Sequence, residues 1–196
     1  WTNSNPLIGL SSSGTGSIPS FTPVGNPGTT AIITFSNSCS SGSFEFTILP
    51  QFTITSSESD YNGYNISCNS YSDGGIDLSL SGGSGSYTYL WSNGATTEDL
   101  TSLSAGNYSV DITDVNSCAA STAFILIEPP LLIPTSNLEL DTCNSGMAKV
   151  IVSGGVFPYN YLWTDNQITP VINNLSGGDY SVIITDANNC KISEQF

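Results

Sequence analysis

The residues that could carry out catalysis are few. Serine is abundant, but the chain contains no histidine, the usual general base for activating a hydroxyl. Only Lys149 and Lys191 could activate a serine in its place, and we predict that both are solvent-facing charges on strands. The neighbouring carboxylates Glu98 and Asp99 have no counterpart 72 residues further along the chain, so they do not suggest a glycosidase pair. We therefore predict that the protein is not an enzyme.

A second pattern could bind a metal ion. Asp114 and Asn116 are spaced as Asp-x-Asn, and the same spacing recurs at Asp186 and Asn188. Oxygen ligands at alternate positions suit calcium, which makes these four residues candidate ligands. The same pattern is ordinary β-turn chemistry, and we favour that interpretation over a metal site. No other cofactor is expected.

The candidate residues recur because the chain is internally repeated. Residues 81–118 and 153–190 align at a constant offset of 72, and 19 of these 38 positions are identical. A divergent third copy precedes them: Trp1-Thr2-Asn3 resembles Trp91-Ser92-Asn93, and the residues leading to Cys39 resemble those leading to Cys118. This alignment indicates that the chain starts within a domain.

The five cysteines fit this alignment. Each complete repeat has two, so the alignment predicts one disulfide between Cys68 and Cys118 and another between Cys143 and Cys190. Cys39 aligns with the second member of each pair and is predicted to be unpaired within this segment. Disulfides of this kind indicate an oxidising compartment.

Composition excludes several partners. Asp plus Glu number 16 against 2 Lys plus Arg, which gives a formal net charge of −14. Such a surface repels phosphate backbones and anionic lipids, so we expect no nucleic-acid binding. No apolar run approaches the roughly 20 residues that span a bilayer, so we expect no direct membrane insertion.

Strands are predicted throughout the repeats. Apolar residues alternate with polar ones in three places in the first repeat, and the second repeat keeps the alternation. Turn residues fall between these runs, and no window favours a helix of normal length. Six or seven short strands in a repeat of this size predict an all-β fold made of tandem immunoglobulin-like β-sandwich domains in a linear string. A tyrosine corner is predicted at Tyr108 and Tyr180.

Strand-proline junctions mark the expected domain boundaries. Strands run into Pro50 and Pro129-Pro130, where proline would stiffen the connection, and we place the boundaries near residues 52 and 130. The predicted domains are residues 1–52, 53–130 and 131–196.

The motifs of the two later domains resemble a known family. Cys68-Asn69, the Asp-Gly-Gly-Ile-Asp-Leu run, Tyr-Thr-Tyr-Leu-Trp-Ser-Asn-Gly, Leu-Ser-Ala-Gly-Asn-Tyr and the Asp…Cys turn together resemble the SprB repeat of gliding adhesins of Bacteroidetes. The opening residues 1–52 look like the C-terminal part of a PKD-like β-sandwich from the same proteins.

The resemblance implies a function as well as a fold. It implies a segment of a large extracellular adhesin on the bacterial cell surface, exported by type IX secretion, moved by the gliding machinery and gripping a substratum or polysaccharide surface. On this interpretation the repeats form an extended load-bearing stalk.

A competing hypothesis is a carbohydrate-recognition or accessory module of a secreted protein. Tyr61, Tyr64 and Tyr71 lie in a polar stretch and could stack on sugars. We favour packing of these rings within the protein.

Overall fold

The computed structural model describes residues 1–5, 10–15, 30–36, 41–47, 51–83, 85–139 and 146–196. Throughout these ranges the regular structure is β-strand, with no α-helix, which confirms the all-β prediction. None of the described residues forms a helix long and apolar enough to cross a bilayer. The described chain divides into two compact units, Trp1–Thr55 with Ser79–Thr96 and Val110–Thr122, and Ser56–Leu78 with Thr97–Ser109 and Ala123–Phe196.

The opening residues form a small antiparallel sheet. Its strands, in the order β1-β2-β3, are β1 (Thr2–Asn3), β2 (Thr30–Ser36) and β3 (Ser41–Thr47). Leu10, Ala31 and Ile33 are buried together, and Trp1 packs against them. A Cβ on Gly14 would lie 2.6 Å from the Trp1 ring, so this close approach requires glycine.

Six strands make up residues 52–126. In chain order they are β4 (Phe52–Glu58), β5 (Gly74–Gly82), β6 (Tyr87–Trp91), β7 (Leu100–Leu103), β8 (Gly106–Asp114) and β9 (Ala119–Leu126). They form two sheets, β4-β5-β7 and β6-β8-β9. The predicted alternation is confirmed in β5, where Ile76 and Leu78 are buried while Asp77 is exposed. Tyr108 donates its hydroxyl to the Ser104 carbonyl at 3.0 Å, which confirms that tyrosine corner.

The same arrangement recurs in residues 133–195. The strands are β10 (Ile133–Glu139), β11 (Gly146–Ser153), β12 (Asn160–Trp163), β13 (Val171–Leu175), β14 (Ser181–Thr185) and β15 (Lys191–Gln195). They form the sheets β10-β11-β13 and β12-β14-β15. With the strands lettered A, B, C, E, F and G in chain order, these are the A-B-E and C-F-G sheets of an immunoglobulin-like sandwich.

One buried cluster joins these two sheets. Trp163 from β12 and Ile184 from β14 pack with Ala148 and Val150 from β11 and with Ile172 from β13. Because apolar side chains from both sheets share this core, residues 133–195 form a β-sandwich. Burial of each large aliphatic side chain stabilises the fold by about 1.5–3 kcal/mol.

Adjacent isoleucines of β14 test the predicted faces. Ile184 is fully buried, whereas Ile183 is 44% exposed. We expect Ile184→Ala to lower the free energy of unfolding by about 2–5 kcal/mol, because it leaves a cavity in the core. Ile183→Ala should cost less than about 1 kcal/mol. Urea unfolding followed by tryptophan fluorescence measures both, and equal costs would contradict the assignment of faces.

Candidate functional site: the disulfide-bridged repeat junction

The turn that ends at Cys190 is built around a buried carboxylate. Asp186 is only 2% exposed. Its Oδ1 accepts hydrogen bonds from the backbone N–H groups of Asn188 and Cys190, each at 2.9 Å. Its Oδ2 accepts the N–H of Val156 at 2.9 Å. Three backbone donors therefore depend on one side chain, and this network fixes where Asn188 and Cys190 point.

The turn that ends at Cys118 has the same construction. Asp114 is 5% exposed, and its Oδ1 accepts the N–H groups of Asn116 at 2.9 Å and Cys118 at 3.0 Å. In both turns the aspartate N–H also donates to the cysteine carbonyl at 3.0 Å. The residue before the cysteine has a positive φ in each, 63° at Ser117 and 67° at Asn189. The chain thus contains two copies of one local structure, an Asp-x-Asn-x-Cys turn.

These hydrogen bonds engage the two carboxylates that were considered as calcium ligands. The carboxylates of Asp114 and Asp186 face backbone N–H donors, as the turn interpretation requires. Among the residues that the structure describes, no group of three or more His, Cys, Asp or Glu side chains is placed to hold a metal ion.

The cysteine pairing differs from the sequence-based prediction. Cys68 is bonded to Cys190, with Cα atoms 5.7 Å apart and a sequence separation of 122. Cys118, predicted as the partner of Cys68, carries a free thiol and is half-buried. Cys39 and Cys143 lie outside the described residues. The prediction of a Cys68–Cys118 bridge within one repeat is therefore wrong, and so is the prediction that Cys190 pairs with Cys143.

Strand β9 explains this difference. The backbone N–H groups of Asn65 and Ile66 both donate to the Ile127 carbonyl, just beyond the last residue of β9. Cys118 precedes the first residue of the same strand. Eight residues of β-strand span about 26 Å, far beyond the roughly 7 Å that a disulfide allows between Cα atoms. The loop that carries Cys68 is thus anchored at the wrong end of β9 for the predicted bridge.

Asn188 reinforces the bridge with three hydrogen bonds. Its Nδ2 donates to the carbonyls of Tyr61 at 3.0 Å and Ser67 at 2.9 Å, and its Oδ1 accepts from Asn62 Nδ2 at 2.5 Å. The turn of the later repeat therefore holds a loop of the earlier repeat by one covalent bond and three polar contacts.

The loop that receives this turn is well ordered by its own contacts. Ser59 and Asn65 exchange side chain-to-backbone hydrogen bonds at 2.7 and 3.0 Å, and Ile66 is fully buried. Ser67 donates both its N–H and its hydroxyl to the Asp73 carboxylate. We call residues 59–73 the first-cysteine loop.

The first-cysteine loop is also fixed to the segment between the repeats. Asn69 Nδ2 donates to Glu128 Oε1 at 2.9 Å and to the Pro129 carbonyl at 3.1 Å. The N–H of Ser70 donates to Glu128 Oε2 at 2.6 Å. The loop therefore contacts the inter-repeat segment on one side and the Asp186–Cys190 turn on the other.

The tyrosines of this region take part in local structure. Tyr61 and Tyr64 are half-buried and form an isolated β-bridge with each other. The Tyr61 hydroxyl donates to the Asp73 carbonyl at 3.2 Å. Tyr71 differs, because it is 55% exposed. Two of the three rings thus belong to the packing of the loop.

The candidate catalytic residues are dispersed. Lys149 and Lys191 are both exposed, as predicted, on β11 and at the start of β15. Burial raises the pKa of the Tyr161 hydroxyl above its usual range, and Tyr159 beside it adds to the shift. The raised pKa keeps this hydroxyl protonated at neutral pH.

The fold and the bridged junction define a protein of tandem β-sandwich repeats joined by a disulfide. The model of the family described as SprB repeat matches this chain at residues 64–96 and 135–168. These matches confirm the resemblance at two places. The PKD-like assignment of residues 1–52 stays a prediction.

No curated protein matches the chain. Among solved structures, domains 3 and 4 of rat CD4 are similar at 10% sequence identity and a TM-score of 0.23, covering 88% of this chain and 96% of that one.

The buried carboxylate of the turn can be tested by substitution. Asp186→Ala removes the acceptor of three backbone N–H groups, and each unsatisfied buried donor costs about 1–3 kcal/mol. We expect unfolding free energy to fall by at least about 2 kcal/mol in urea denaturation. Asp179→Ala, at an exposed aspartate of the same domain, is the matched control and should change stability by less than about 0.5 kcal/mol.

Peptide mapping tests the pairing. We expect alkylation of the unfolded, unreduced chain to label Cys118 and to leave Cys68 and Cys190 unlabelled until reductant is added, because only the latter two form the bridge. Mass spectrometry of the digest should show one peptide pair joined through Cys68 and Cys190. A pair joined through Cys68 and Cys118 would restore the prediction made from the repeat alignment.

Proposed function

We propose that the chain is a non-enzymatic segment of a large extracellular adhesin on the surface of a gliding bacterium. Its role there is surface attachment and gliding, as an extended load-bearing stalk. The observation that carries this proposal is the pair of SprB repeat matches. The bridge between Cys68 and Cys190 supports it, because disulfides persist in oxidising, extracellular environments.

The bridge has a direct mechanical consequence. Tension applied at the two chain ends enters the earlier repeat before Cys68 and the later repeat after Cys190. Because the two sulfurs are bonded, the 122 residues of separation cannot be pulled straight, which withholds about 430 Å of extended chain at roughly 3.5 Å per residue. Most of both repeats is therefore outside the path of the load.

The position of Cys190 makes this protection nearly complete for the last sandwich. Cys190 directly precedes β15, so the segment from Lys191 to Phe196 alone lies between the bridge and the end of the described chain. That strand pairs with β14 over five residues, and Glu194 accepts a hydrogen bond from Ser136 of β10 at 2.8 Å. Load in the last repeat is taken by one paired strand before it passes to the disulfide.

Charge is consistent with partners at a surface. A net charge of −14 disfavours anionic partners, so the parent adhesin is expected to contact neutral polysaccharide, or a substratum such as glass coated with it, outside this segment. Contacts with the type IX secretion and gliding machinery would be made through the parent protein.

Single-molecule stretching tests the stalk. With handles at both ends, the oxidised chain should extend about 430 Å less than the same chain in reductant, since reduction releases the residues between Cys68 and Cys190. A Cys68→Ser/Cys190→Ser variant should extend fully in either condition. Cys118→Ser, which removes the free thiol, is the matched control and should retain the difference.

Equal extension of the oxidised and reduced chains would contradict the load-bearing role. The same tethers, brought against glass and a polysaccharide-coated surface, separate a stalk from a recognition module. Saturable adhesion by this segment would assign recognition to the repeats themselves, whereas no adhesion is the result that the stalk proposal expects.

A further inference from the structure

The two Asp-x-Asn-x-Cys turns have the same construction but different surroundings. In the turn at Asp186, Cys190 is 9% exposed, and Ala187 and Asn188 are half-buried. In the turn at Asp114, Cys118 is half-buried, Asn116 is exposed and Val115 is 65% exposed. The first-cysteine loop contacts the turn at Asp186, whereas the turn at Asp114 is more exposed.

An open cleft lies beside the uncovered turn. It has a volume of about 430 Å³ and is lined by Gln51, Phe52, Cys118, Ala119 and Ala120. The lining therefore combines a free thiol with the segment that leads into β4. Phe52 contributes an apolar wall and contacts the Tyr87 ring, with centroids 5.2 Å apart.

This cleft corresponds to the place that the first-cysteine loop fills in the later repeat. The N–H of Gly83 donates to the Gln51 carbonyl at 3.0 Å, as the N–H of Gly155 donates to the Pro130 carbonyl at 2.8 Å. Gln51 thus stands where Pro130 stands one repeat later. There, the first-cysteine loop binds both neighbouring elements: Asn69 bonds to the Pro129 carbonyl, and Cys68 bonds to Cys190.

We propose that the Cys118 cleft binds the first-cysteine loop of another repeat and that Cys118 forms a disulfide with its cysteine. The expected occupant is a loop equivalent to residues 59–73 from another copy of the repeat, because the loop that fills the later copy also comes from a different repeat. Asn116 is the positioning residue, corresponding to Asn188. The proposal goes beyond the adhesive function and would hold for any role of the repeat array.

The proposed pattern is a staggered series of bridges. Each first cysteine pairs with the second cysteine of the next repeat, so no bridge closes within a single sandwich. Forming the Cys118 bridge from two thiols releases two protons and two electrons. A disulfide-bearing oxidant accepts them and is reduced to a dithiol.

A peptide probe can test the cleft in the full 196-residue chain. The probe copies residues 64–72, Tyr-Asn-Ile-Ser-Cys-Asn-Ser-Tyr-Ser, with its cysteine held as a mixed disulfide with 2-thiopyridine. The Cys118 thiolate attacks the peptide sulfur, the new disulfide forms and pyridine-2-thione leaves. Mass spectrometry of the digest measures the adduct at Cys118, and Cys118→Ser gives the background.

We expect the adduct at Cys118 to form about tenfold faster with this peptide than with a scrambled peptide of the same composition, as two hydrogen bonds of ordinary strength would give. Asn116→Ala should abolish the preference while leaving the reaction of Cys118 with 2,2′-dithiodipyridine unchanged. Equal rates for the native and scrambled peptides would overturn the proposal, and would leave the stretching and adhesion results unaffected.

Discussion

The covalent bond between Cys68 and Cys190 constrains a large part of the described chain. It joins the loop before β5 to the residue before β15, across 122 positions of sequence. In the chain-entropy model a closed loop of that length stabilises the folded state by about 5 kcal/mol, comparable with the whole stability of a small domain. Because its two ends belong to different copies of the internal repeat, this stabilisation is shared between neighbours.

The bridge in turn depends on a buried carboxylate. Asp186 is buried with its oxygens occupied by backbone donors, and this arrangement sets Cys190 and Asn188 toward the first-cysteine loop. A buried carboxylate is costly unless its hydrogen bonds are made, so its presence ties the stability of the sandwich to the geometry of the junction. Folding of one repeat therefore prepares the contact with the previous one.

Much of this fold could be predicted from the residues, but the pairing could not. Alternation placed Ile76 and Leu78 in the interior, and the Asp-x-Asn spacing located both turns. The repeat alignment identified two kinds of cysteine, yet it fits pairing within a repeat and between repeats equally well. Loop entropy hardly distinguishes them, since closing 122 rather than 50 positions costs only about 0.8 kcal/mol more. The overlooked signal is that asparagine recurs at 116 and 188. The aspartate of each turn already accepts the backbone N–H groups that order it, so the recurrence of asparagine pointed to a contact outside the turn.

Bridging between neighbours changes how a repeat array responds to force. In an ordinary array each domain contacts only its neighbours and stability is a sum of local terms, so the weakest domain unfolds first. A bridge from Cys68 to Cys190 removes that independence, because the residues between the two cysteines cannot be extended while the bond is intact. A disulfide inside one sandwich would protect that sandwich alone, whereas a bond that reaches into the next repeat also holds the connecting segment around Glu128 and Pro129 under the first-cysteine loop. The junction, which is the exposed weak point of a chain of small domains, is thereby kept out of the path of the load.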